Sequence, residues 1–205
     1  MPSKLIEGFK NFRSDAYQKG ETLMKRLVQN GQDPRYFMIS CIDSRGNPGT
    51  IFQAEPGTFF AHKAMGAIVR PYKQGTALAA ALHFALNYNK VDTIVVLGHT
   101  LCGAVKALVN DLQDEEISSF IQQAKAGLER ARAHAAKDET HDDLFRHTEE
   151  HIILLSVENL KAYPSVAKAL AEKRVVIKPW LFDMESGHIL EYSETSKQFE
   201  TISDK

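Results

Sequence analysis

The chain has 205 residues, 43% of them hydrophobic and 25% charged, and its 25 Lys and Arg nearly balance 26 Asp and Glu for a formal net charge of -1. That is the balance of a globular protein able to bury one core, and it offers no basic surface for nucleic acid. The opening residues MPSKLIEGFKNFRSDAYQ lack an apolar core of signal-peptide length, and no apolar run is long enough to span a bilayer, so a cytoplasmic protein without a membrane partner is expected.

Leu5, Phe9, Phe12 and Tyr17 recur about one helical turn apart and are followed by Leu23, Leu27 and Val28, so residues 1–30 read as an amphipathic helical arm that NGQDP ends. Residues 36–41, YFMISC, form a continuous apolar run of strand length, the pattern of a parallel strand covered on both faces. EPGTFFAH reads as a turn and a second strand, GTALAAALHFALNYNK as a helix, VDTIVVLGH as the clearest strand, and TLCGAVKALVNDL as the opening of another helix. Residues 114–161 have helical spacing. KRVVIKPWLFDMESGHILEYSE gives a strand, a turn at Ser186 and Gly187, and a last strand added at the sheet edge. Residues 193–205 read as a loose tail. The expectation is one α/β domain over residues 1–205, a central, mostly parallel sheet flanked by helices.

Only two cysteines occur, Cys41 and Cys102, each just past a strand, and His99 precedes Cys102 by three residues at a strand-to-helix turn. The carboxyl ends of parallel strands are where ligands bind, so the three side chains are placed to converge. Two thiolates and an imidazole suit zinc, and three protein ligands leave the fourth position open for chemistry. On spacing alone, two inert buried cysteines, or a disulfide, with an exposed turn histidine also account for the pattern. Alternation after Cys41 aims Asp43 and Arg45 to one side, where Asp43 accepts a hydrogen bond from whatever fills the fourth position and Arg45 holds its carboxylate; the plainer alternative is an exposed turn ion pair. His147 and His151, with His141 and Glu150 nearby, read as a solvated helix face rather than a second metal site, and His62, His83, His134 and His188 as surface or packing residues.

CIDSR and GHTLCG, in this order and at this separation, resemble the CxDxR and HxxC signature of the β-class carbonic anhydrases. EPGTFF, ENLKAYPSV and VVIKPWLFDMESGHIL are similar to further segments of that family. The resemblance implies Zn2+ on Cys41, His99 and Cys102, and reversible hydration of carbon dioxide to bicarbonate and a proton by zinc-bound hydroxide that Asp43 and Arg45 orient. In some members the aspartate becomes a fourth ligand and closes the site. It also implies a substrate pocket of Gln32, Phe60, Met65 and Phe84, shared within a homodimer or homotetramer whose arm lies across the partner. The chain departs from the family at KAMGA, residues 63–67, where RNAGN or RNxxN is usual. That departure raises carbonyl sulfide or carbon disulfide hydrolysis as an alternative, with a non-catalytic zinc module as a third. Met38, Lys63 and Phe182 stand where a bicarbonate-inhibited subclass carries tryptophan, arginine and tyrosine, so a plant-type site without the regulatory anion pocket is expected.

Overall fold

The computed structural model describes residues 3–135, 138 and 140–202. The apolar runs form β1 (Tyr36–Ser40), β2 (Phe59–Lys63), β3 (Thr93–His99) and β4 (Val176–Phe182), which are mutually parallel in the order β2, β1, β3, β4. After a turn that needs Gly187 at φ +76, β5 (Ile189–Ser193) returns antiparallel beside β4. The expected α/β sheet is therefore present, with one correction at its edge. Residues beyond Ser193 are not a loose tail: β6 (Gln198–Thr201) pairs with β5, and Phe199 packs on Tyr192 and the main core. Residues 203–205 lie outside the described residues.

The arm is α1 (Ser3–Arg13) and α2 (Leu23–Asn30), joined through a π-helical turn at Ser14–Gln18, and none of these segments contains a buried residue. Met1 and Pro2 of the expected arm lie outside the described residues. The remaining helices are α3 (Pro48–Ile51), α4 (Thr76–Asn87), α5 (Gly103–Val109), α6 (Glu115–Ile121), α7 (Lys125–His134), α8 (His141–Lys161) and α9 (Pro164–Ala171). Local chemistry starts several of them: Thr140 and Asp143 close a capping box on α8, Asp114 caps α6, and Pro164 begins α9 where its missing N–H costs nothing.

Alternate strand residues face two different environments. Phe37, Ile39, Ile94 and Val96 pack against Leu78, Leu82 and Leu86 of α4, Ile153 and Leu160 of α8, and Val166 of α9. Met38, Val95 and Leu97 face the other way, toward Ile51, Phe59, Trp180, Phe182 and Ile189. The expectation of strands covered on both faces holds for β1 and β3, whose second-face residues Met38, Val95 and Leu97 are buried too. That second face carries α3 and leaves an apolar cavity of about 340 Å³ lined by residues including Met38, Phe52, Phe59 and Trp180.

Gly98 sets how closely α8 approaches the sheet, because a Cβ there would lie 2.5 Å from Cδ1 and 2.6 Å from Cγ1 of Ile153, a side chain only 1% exposed. Gly98→Ala is therefore expected to destabilise the fold by about 1–3 kcal/mol, the usual cost of overpacking, read as a lower urea midpoint. An unchanged midpoint would mean that α8 does not depend on this contact.

Candidate metal centre

Cys41 follows the last residue of β1, His99 ends β3, and Cys102 is the N-cap of α5 rather than a residue of its first turn. Since β1 and β3 are neighbours in the sheet, their carboxyl ends bring residues distant in sequence together. The ligand atoms of Cys41, His99 and Cys102 lie within 4.8 Å of one another, and all three residues are buried. It is the one such group of three or more ligand residues among the described residues.

The histidine is held in a defined orientation. Its Nδ1 bonds the Thr100 carbonyl at 2.8 Å, which assigns the proton to Nδ1 and leaves Nε2, buried and without a hydrogen-bond partner, as a lone-pair donor. Cys41 Sγ accepts from the backbone N–H of Asp43 at 3.4 Å and of Gly66 at 3.3 Å. Gly66 sits at φ +62, with Ile68 and Ala104 already at 3.3–3.4 Å from where a Cβ would be, so glycine is required for its amide to reach the sulfur. Lys63, the first residue of KAMGA, donates from Nζ to the Cys41 carbonyl at 2.9 Å.

The thiols titrate as a pair. Cys102 hydrogen-bonds Cys41, which pushes Cys41 down and Cys102 up, so the two share one proton and one negative charge. Burial opposes a charged His99, but the neighbouring Cys41 sulfur and the bond to the Thr100 carbonyl raise it overall. An orphaned buried imidazole nitrogen beside two sulfurs that cannot both ionise alone fits a divalent, borderline-soft cation, and zinc suits this donor set.

Asp43 does not join the ligand group. Its Oδ1 accepts from Arg45 Nε at 3.1 Å and from Arg45 N at 2.9 Å, and its Oδ2 from Arg45 Nη2 at 2.8 Å. These bonds outweigh burial and hold the Asp43 carboxyl down at about 2, so it is ionised at neutral pH.

Of the residues assigned to a substrate pocket, only Met65 comes to the metal group, on the apolar shelf that includes Cys41 and Cys102. Phe60 is paired in register with Phe37, four residues before Cys41 and so about 13 Å along the strand from it. Its ring meets that of Phe84 at 6.0 Å, and Phe84, half-exposed, stacks on Tyr88. Gln32 is exposed in the loop before β1. The chain alone does not bring these three to the metal ligands. Glu149 escaped the sequence reading: from α8 it accepts the Cys102 N–H at 2.9 Å, and burial pushes its carboxyl up to about 7 against that bond. Its only sequence signal is an acidic residue at a core position of an otherwise apolar helix stripe. The histidines of α8 are otherwise engaged, with His151 stacked on His134, His141 against Phe145, and Glu150 paired with Arg146.

The carbonic anhydrase family model matches residues 36–189. A carbonic anhydrase of Synechococcus elongatus is 33% identical over 198 residues, 94% of this chain and 72% of its own length, and one of Pseudomonas aeruginosa is 32% identical over 206 residues, 98% and 91% respectively. The solved β-carbonic anhydrase CcaA superposes with a TM-score of 0.89 at 29% identity, covering 98% of both chains. The chain belongs to the β-carbonic anhydrase family and is a carbonate dehydratase, a lyase that hydrates carbon dioxide reversibly to bicarbonate and a proton. The sulfide-hydrolase and non-catalytic alternatives find no support in these relatives.

If the group is the metal centre, purified protein should carry about one zinc per chain, and Cys41→Ser and His99→Ala should each lose most of it by elemental analysis. Full occupancy in both variants would remove these residues from the site.

Proposed function

We propose that the reaction takes place at one zinc held by Cys41, His99 and Cys102, with Asp43 and Arg45 beside the fourth position. The observation that carries this reading is the convergence of two buried sulfurs and an orphaned Nε2 next to a carboxylate already locked by arginine. Zinc, when bound, supplies the Lewis acidity that makes water a nucleophile near neutral pH.

The rest falls to the chain. Asp43 is ionised, so its free lone pairs accept from a hydroxyl and repel an unprotonated oxygen; it selects and orients the protonated oxygen at the open position. Arg45 fixes the angle of that carboxylate through its fork. Met65 gives an apolar wall suited to a linear, nonpolar molecule. The product proton passes out to buffer.

The remainder of the pocket, Gln32, Phe60 and Phe84, comes in this reading from a second copy in a homodimer, or in a homotetramer of two dimers. Two observations support it: the arm exposes Leu5, Phe9 and Phe12 and buries nothing, and the second sheet face is apolar and only partly covered. A plant-type site with the open state at neutral pH also belongs here. Met38 and Phe182 pack in one apolar cluster and Lys63 is engaged with the Cys41 carbonyl, so these positions lack convergent donors for a regulatory bicarbonate. Among the described residues no helix is long and apolar enough to cross a membrane. Two free thiols in the site favour a reducing, cytoplasmic setting.

Asp43→Asn should keep its zinc and lose activity by a factor on the order of 10² in kcat/KM, because an amide no longer enforces the proton arrangement. Unchanged turnover would take Asp43 out of the reaction. Light scattering at micromolar concentration should give at least a dimer, and a deletion of residues 1–30 should weaken it; a monomeric full-length chain would overturn the shared pocket.

A further inference from the structure

The turn that carries two of the three metal ligands is strained at one residue. Leu101 lies at φ +58, a left-handed conformation unfavourable for a leucine, and it is the step that swings the chain from His99 at the end of β3 to Cys102. Such a residue persists only where its surroundings over-determine it. The first half of the turn is tied to the end of β4, with Thr100 N donating to Phe182 O at 3.0 Å and Met184 N to Thr100 Oγ1 at 2.9 Å. The second half is tied to α8, where Glu149 Oε1 accepts the Cys102 N–H.

Glu149 is only 5% exposed, on a helix that otherwise turns Ile152, Ile153, Ser156 and Leu160 inward. A carboxylate at such a position is costly and adds little that an apolar residue would not to packing. Ile153 is one turn further along the same face and rests against Gly98, so the close approach of α8 to β3 is what lets Glu149 reach the Cys102 amide.

We infer that Glu149 is a positioning residue for the metal: its carboxylate oxygen anchors the backbone of Cys102 across the strained Leu101 turn and so aims the Cys102 sulfur at the ion. The role belongs to the acceptor oxygen, which glutamine also offers and alanine or leucine does not. It rests on the zinc reading above.

The test compares parent protein with Glu149→Gln, Glu149→Ala and Glu149→Leu, each measured for zinc dissociation constant by competition with a chromophoric chelator and for thermal unfolding. Glu149→Ala and Glu149→Leu are expected to bind zinc about 10- to 100-fold more weakly, the usual loss when a partner of a metal ligand is removed, while Glu149→Gln stays within about threefold of the parent. Equal zinc affinity in folded Glu149→Ala or Glu149→Leu would overturn the inference, as would a loss in Glu149→Gln as large as in Glu149→Ala. Should the alanine and leucine variants not fold, amide hydrogen exchange decides it: the Cys102 amide must be protected in the metal-free parent and in Glu149→Gln, and rapid exchange in either would overturn it. A parent that binds no zinc defeats the zinc reading itself, a result distinct from all of these.

Discussion

Side-by-side pairing of β1 with β3, Tyr36 opposite Thr93 through Ser40 opposite Leu97, places the residues just past both strands next to each other. A slip of one residue would turn Cys41 to the other face of the sheet and dismantle the ligand group. Because both faces of these strands are apolar, hydrophobic alternation alone specifies this register weakly. The polar ends supply the rest: Arg35 O accepts from Asp92 N and Thr93 N, the Arg35 guanidinium grips the Asp92 carboxylate, and Ala64 N donates to Ser40 O. The ion pair is exposed and contributes little to stability, but its two-point geometry is directional.

Charge is distributed around the centre to suit a cation that binds anionic ligands. Two thiolates less than 5 Å apart would repel by about 3–4 kcal/mol at the effective dielectric of a protein interior, more than any surface ion pair here returns. Backbone amides of Asp43 and Gly66 point at one sulfur, and the Lys63 ammonium lies on the carbonyl of the same cysteine. Asp43 adds negative charge near the site, and the Arg45 guanidinium neutralises it.

The convergence of Cys41, His99 and Cys102, and their carboxylate–arginine neighbour, were legible because short, ordered motifs mark strand ends, where position along the chain and position in space coincide. The sheet was legible for the same reason, since buried parallel strands write themselves as apolar runs. Three features were not. β6 follows a polar turn and alternates too briefly to stand out, and its one buried ring, Phe199, reads as an isolated aromatic. Glu149 is one acid among many on α8, and nothing local distinguishes it from its neighbour Glu150, which pairs with Arg146 at the half-buried helix face. Phe60 and Phe84 were assigned to a pocket by resemblance, and a single chain holds them against each other, away from the metal group.

The gathering of Cys41, His99 and Cys102 also has an order in folding. Between Cys41 and His99 the chain must build β2 and α4, so a chain with only its local helices and turns formed can hold His99 and Cys102 together but not Cys41. The complete group waits on a long-range, parallel pairing, the slow kind of contact to close. Were an ion bound there, its tight retention would be a property of the finished sheet, and the unfolding of β1 from β3 and the loss of the metal would be a single event.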